Sequence, residues 1–142
     1  MSWDQAFTAA NAVALLSWIA LIALPRWPAL IALLRFGIVG LIAAAYTVIV
    51  ALFFFRVEGG GYMTLAEVKR LFSSDAVIVA GWLHVIALDL FAGLWIAERL
   101  DRHGIGRLIQ APILVATFMF GPFGLLVAYL VGLMPGTRRL SE

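Results

Sequence analysis

Residues 76–100 read AVIVAGWLHVIALDLFAGLWIAERL, an apolar run with His84 and Asp89 inside it and Glu98 near its end. At about 1.5 Å of rise per residue the run crosses the roughly 30 Å hydrocarbon core of a bilayer as one helix. Asp89 falls near the middle, where a carboxylate costs about 2.5–3.5 kcal/mol on insertion scales. Lipid offers such a group no partner, so an ionisable residue kept at that depth marks a candidate functional site.

The rest of the chain has the same character. Of 142 residues 64% are hydrophobic and 13% are charged, and the mean hydropathy is +1.05, which places the chain among membrane proteins. Three more apolar stretches, 3–24, 29–55 and 107–133, are long enough to span. The expected fold is all-α: a single domain over residues 1–142, forming an integral membrane four-helix bundle. The net charge of +2 is dispersed as single and paired Lys/Arg at the span ends. That is the pattern of interfacial anchors and gives no nucleic-acid footprint. Cysteine is absent, which removes disulfides, thiol catalysis and Cys-ligated haem or iron–sulfur centres. Met1-Ser2-Trp3-Asp4-Gln5 has neither a basic n-region nor a small-residue cleavage site, so the first span is expected to be retained.

Local signals place the joints. Ser2 with Gln5 three residues on forms a capping box for span one, and Pro25-Arg26-Trp27-Pro28 ends it in a tight turn. Span two carries Arg35, then Gly37, Gly40 and Ala44, small residues at spacings that let another helix approach closely and are compatible with a homodimer. Gly59-Gly60-Gly61 lacks a following Lys-Ser/Thr and reads as a hinge rather than a phosphate loop. Residues 62–72, with the box Thr64–Glu67 and an apolar face of Leu65, Val68, Leu71 and Phe72, predict a short interfacial amphipathic helix between spans two and three. Span four contains Gly121-Pro122-Phe123-Gly124, where the ring of Pro122 predicts a kink. Four spans put both termini on one side. The cations then divide evenly, Arg56, Lys69, Arg70, Arg138 and Arg139 against Arg26, Arg35, Arg99, Arg102 and Arg107, and the positive-inside rule gives no orientation.

Counting rise from the side shared by the first and third connections puts Asp89 at about 16 Å, Thr117 at about 15 Å, Asn11 at about 20 Å, and His84 and Tyr46 near 25 Å. These five are expected to converge on an internal cavity, because apolar bundles bury polar groups against one another. Glu98 lies shallower, where Arg35 or Arg102 can neutralise it as a structural charge. His84 and Asp89 stand about 140° apart around the helix, so they bracket a space rather than touch. Neither they nor His103 has the spacing of metal ligands, and no metal or other cofactor is expected.

Residues 81–96, GWLHVIALDLFAGLWI, resemble the signature of the neoxanthin synthase family, the abscisic-acid-deficient-type membrane proteins. That signature runs Trp-x-His-Tyr-x-Ala-x-Asp-Leu-Phe-x-Gly-x-Trp. The stretches VKRLFS at 68–73 and TFMFGPFGLL at 117–126 are similar to two more of its motifs, so the likeness covers about 62–130. Val85 replaces the family's Tyr, and Leu94 stands where a basic residue is common. The plastid transit segment of plant members is not seen, so a bacterial relative in the inner (cytoplasmic) membrane is expected. Plant members are associated with isomerising the epoxy-carotenoid violaxanthin to the allenic neoxanthin. The resemblance therefore implies acid–base work on a polyene without a redox cofactor, with His84 and Asp89 as the pair. Asn11, Tyr46, Trp82, Phe91, Trp95, Thr117, Phe118 and Phe120 would line a mostly apolar site for a carotenoid or other isoprenoid lipid. A non-catalytic carotenoid-, retinoid- or isoprenoid-binding protein is the alternative, and a proton- or ion-handling bundle a third reading.

Overall fold

The computed structural model describes residues 2–133, which are helical with no strand among them; the polar tail at 135–142, with Arg138 and Arg139, lies outside the described residues. Helix α1 (Trp3–Ala23) begins at Ser2 with the expected capping box: the hydroxyl accepts from the Gln5 N–H, and the Gln5 side chain accepts from the Ser2 N–H. Helix α2 (Pro28–Arg56) starts on Pro28, whose preset φ suits a first turn and whose missing N–H would be unpaired there anyway. It carries one π-helical turn, Leu33–Val39, and closes in a 3-10 turn at Phe54–Arg56.

Gly59, at φ 67°, turns the chain toward the short α3 (Leu65–Leu71). The Thr64 hydroxyl caps it by accepting from the Glu67 N–H, while the Glu67 carboxylate accepts from Met63 N–H rather than closing the box on Thr64. Of the expected apolar face, Leu71 is buried and Val68 half-buried, whereas Leu65 and Phe72 are exposed along with Tyr62 and Met63. Helix α4 (Asp75–Arg102) is the element on which the others pack. Asp75 in its first turn and Arg99 and Arg102 in its last oppose the helix macrodipole.

Side-chain pairs fix the directions. Along α4, Trp82 meets Asn11, Gly93 meets Trp18, and the Ala97 carbonyl meets Arg26, so α1 runs parallel to α4. His84 meets Tyr46 and Glu98 meets Arg35, so α2 runs antiparallel. These three helices are each long and apolar enough to cross a membrane. We call the face where α1 begins proximal and the face where it ends distal.

The fourth segment departs from expectation. Instead of one kinked span over 107–133 there are two helices, α5 (Arg107–Phe120) and α6 (Pro122–Leu133). Helix α5 runs down from the distal face, with Gln110 beside Asp101, Phe118 beside Trp18, and Gly121 against Asp89. Helix α6 then returns, with Tyr129 against Trp95 and Gly132 near Arg99. The pair is a hairpin whose arms are each shorter than the three long helices, so in place of the fourth continuous span expected over 107–133 the structure has two short helices that fold back on each other. The turn rests on Gly121, at φ 27°, in the range where side chains are strained, and on Pro122, which lacks the donor needed to continue α5. Gly124 lets the arms close, since a Cβ there would strike Thr117.

Two apolar clusters fill the bundle. The distal one joins Trp18, Leu21, Leu34, Leu94, Leu114 and Ala128; the proximal one joins Ala10, Ala14, Ile42, Leu83 and Ile86. Phe36, Leu41, Leu88, Phe91 and Leu130 point outward, as lipid-facing positions should. Gly37, Gly40 and Ala44 are exposed, and a Cβ on Gly40 would meet nothing within 4 Å, so among the described residues no other helix packs on that stripe.

Candidate functional site

A cavity of about 470 Å³ lies between α2 and α4 in the proximal half. Val50, Phe54, Val77, Ile78 and Val85 make its walls apolar, and Tyr62 and Phe72, flanking α3, close one end. Phe72 comes in over Gly81, where a Cβ would collide with its ring. The polar groups inside are His84 from α4 and Tyr46 from α2, with ring centroids 5.5 Å apart. Neither forms a hydrogen bond with another described residue, so both remain available to a ligand. Trp82 also lines the space, and its indole N–H donates to Asn11 Oδ1 on α1 at 2.8 Å while its ring packs on Phe7. Asn11 thus orients a wall residue from behind.

The rest of the expected polar layer is elsewhere. Asp89 lies outside this cavity, and its carboxylate abuts Gly121 at the hairpin tip, so closely that a Cβ on that glycine would fall 2.5 Å from Oδ1. The N-terminus of α6 begins at the next residue and carries the partial positive charge of exposed backbone N–H groups, which complements a carboxylate. Thr117 is fully buried and its hydroxyl donates back to the Ile113 carbonyl at 2.8 Å, which satisfies it within α5. The expectation that Asn11, Tyr46, His84, Asp89 and Thr117 share one cavity is therefore corrected. Asn11 and Tyr46 lie level with Trp82 and His84, while Asp89 meets the hairpin tip about one to two turns further along α4.

The expected aromatic walls divide likewise. Phe118 packs on Trp18 in the distal cluster, Trp95 stacks edge-on with Tyr129 and lies beneath the Arg99 guanidinium, and Phe91 and Phe120 face outward. The structural charges are paired as anticipated: Arg35 donates to Glu98 Oε2 at 2.6 Å.

The cavity's lining comes largely from the stretches 62–85 and 46–54, and this region falls inside the match to one family model, described as ABA DEFICIENT 4-like, which covers residues 5–128. The chain belongs to the ABA4-like family. Neither the curated proteins nor the solved structures contain a match to it. In this ABA4-like protein Trp82 and His84 line the cavity while Asp89, on the same helix, abuts the hairpin tip at Gly121.

What sequence reasoning missed in this ABA4-like chain is a polar clamp at the distal face. Arg26, almost wholly buried, donates to the Leu21 and Ala97 carbonyls, to Asp101 at 2.8 Å and to Gln110. Gln110 in turn donates to Asp101 Oδ1 and the Ile105 carbonyl, both at 2.7 Å. Arg107 donates to the Leu24 carbonyl at 2.6 Å. The only signal for it was a glutamine at the start of an apolar run. Among the described residues no three His, Asp or Glu side chains converge, so the chemistry open to the cavity is that of His84 and Tyr46.

Proposed function

We propose that this ABA4-like protein takes the oxygenated ring end of a carotenoid or related isoprenoid into the cavity between α2 and α4 and isomerises it by acid–base chemistry. The observation that carries the reading is the pairing of His84 with Tyr46 inside an aromatic-walled, apolar space. About 470 Å³ suits a ring and the first part of a polyene, with the remaining chain lying along the exposed apolar flank of α4. For an epoxide the atoms balance without an oxidant. His84 accepts a vinylic proton, that C–H electron pair becomes the second double bond of an allene, the C–O bond opens, and the oxygen takes a proton from the Tyr46 phenol. Here Tyr46 replaces Asp89 as the working partner of His84, since Asp89 faces the hairpin.

The second reading is a carotenoid-, retinoid- or isoprenoid-binding protein without turnover. It is favoured by the absence of any hydrogen bond that orients the His84 ring among the described residues. The proposed location is a bacterial inner membrane, which fractionation of the producing cells would test. For the cavity, the protein is purified in mild detergent, incubated with epoxy-carotenoids, and its pigments resolved by chromatography. Conversion by the parent and loss of at least about 100-fold in H84A and Y46F supports the enzyme. Pigment retained unchanged supports the binder, and recovery of phospholipid alone sinks both.

A further inference from the structure

A second cleft of about 470 Å³ lies at the distal end of the same two helices, remote from His84. Its apolar lining is Pro28, Ile31 and Phe36, and its charged lining includes Arg35 and Arg102 together with the carboxylates of Glu98 and Asp101. The π-helical turn Leu33–Val39 contains Arg35, and such one-turn bulges re-aim a side chain and recur at functional sites. The side chain of Arg35 is mostly buried and spends one terminal nitrogen on Glu98, while its Nε is buried with no partner. Arg102 is exposed and makes no hydrogen bond or ion pair with a described residue. Arg26 also borders the cleft, but Asp101 pairs its charge and its Nε and one terminal nitrogen are engaged by Leu21, Ala97, Asp101 and Gln110. Setting Arg26 against Asp101 and Arg35 against Glu98 leaves the positive charge of Arg102, with unused donors on Arg35.

We propose that this cleft binds the phosphate head of an amphiphile whose apolar chain runs over Ile31 and Phe36 into the bilayer. Guanidinium groups bind phosphate oxygens in pairs of parallel hydrogen bonds, and a cationic pocket between spans at the headgroup level is where such a head arrives. Phe36, 76% exposed beside those cations, supplies the apolar track that a free anion would not need. The proposal is independent of the cavity at His84. Two sources share this chemistry, a glycerophospholipid and an isoprenoid diphosphate.

The test is titration of the delipidated full-length protein in uncharged detergent, read by native mass spectrometry and thermal midpoint. The ligands are phosphatidylglycerol, farnesyl diphosphate, farnesol and diacylglycerol. The two phosphorylated ligands are expected to bind and to raise the midpoint, and the two neutral ones to do neither. R102Q removes a partner-free exposed side chain, so it should fold like the parent and lose about tenfold in affinity, the value of one charge-assisted hydrogen bond. F36A should lower affinity for both amphiphiles yet leave binding of inorganic pyrophosphate unchanged. Competition separates the sources: displacement of phosphatidylglycerol by equimolar farnesyl diphosphate identifies the isoprenoid, and the reverse identifies the bilayer lipid. Equal binding of farnesol and farnesyl diphosphate, or an unchanged affinity in R102Q, overturns the proposal.

Discussion

Trp18 occupies the notch that Gly93 leaves on α4, where a Cβ would run into the outer edge of the indole. Trp18 is buried at 2% exposure, so it has nowhere to retreat. Gly93→Ala is expected to lose about 1–3 kcal/mol, the usual cost of overpacking, seen as a lower thermal midpoint in detergent. Asp89 calls for a different experiment, because its carboxylate faces the start of α6 rather than the cavity. Asp89→Asn keeps the volume and removes the charge. It should lower stability by roughly 0.3–2 kcal/mol through the lost interaction with the helix N-terminus while leaving ligand retention in the cavity intact. Loss of ligand with stability unchanged would return Asp89 to the site. Helical spacing already separated His84 from Asp89 by angle; what it could not supply was the residue that fills the space on each side, which is Tyr46 for one and Gly121 for the other.

Among the elements, the α5–α6 hairpin is the one whose form depends on few atoms. Gly121 combines a positive φ with the carboxylate of Asp89 at its Cβ position. Gly121→Ala should therefore destabilise by about 1–3 kcal/mol, and a double-mutant cycle with Asp89→Ala should show part of that cost to be shared. Purely additive effects would mean that the strain is confined to the backbone. At the other end of the hairpin, Arg26, Asp101 and Gln110 tie α1, α4 and α5 together. Gln110→Leu leaves a buried guanidinium short of an acceptor and Asp101 short of a donor, an expected loss of about 2–3 kcal/mol. The caps of α1 and α3, the bounds of α4 and the short amphipathic α3 were legible in the sequence, since each follows from neighbours within a turn or so. The hairpin was not. Gly-Pro signals a break, but the angle after the break is chosen by what the returning helix finds to pack on, here Trp95 and Arg99.

For the whole molecule the hairpin changes the topology, because the end of α6 lies at the distal face and the start of α1 at the proximal one. Among the described residues Arg26, Arg35, Arg99, Arg102 and Arg107 lie toward the distal face, against Arg56, Lys69 and Arg70 at the proximal face. The positive-inside rule then predicts a cytoplasmic distal face. The chain has no cysteine, so single-cysteine variants can be labelled without background. With a membrane-impermeant maleimide on intact spheroplasts, M63C should react while G106C and G132C are protected until the membrane is opened. A continuous fourth span would instead place G132C with M63C. The sequence by itself determined the apolar character of this protein, its three long helices and the caps of α1 and α3, because hydropathy and capping are properties of the local chain. Only the tertiary structure decided which polar groups meet and where the last segment goes. Both depend on how each helix is rotated and directed against its neighbours, and the reversal at Gly121-Pro122 is completed by the packing of the returning helix on Trp95 and Arg99.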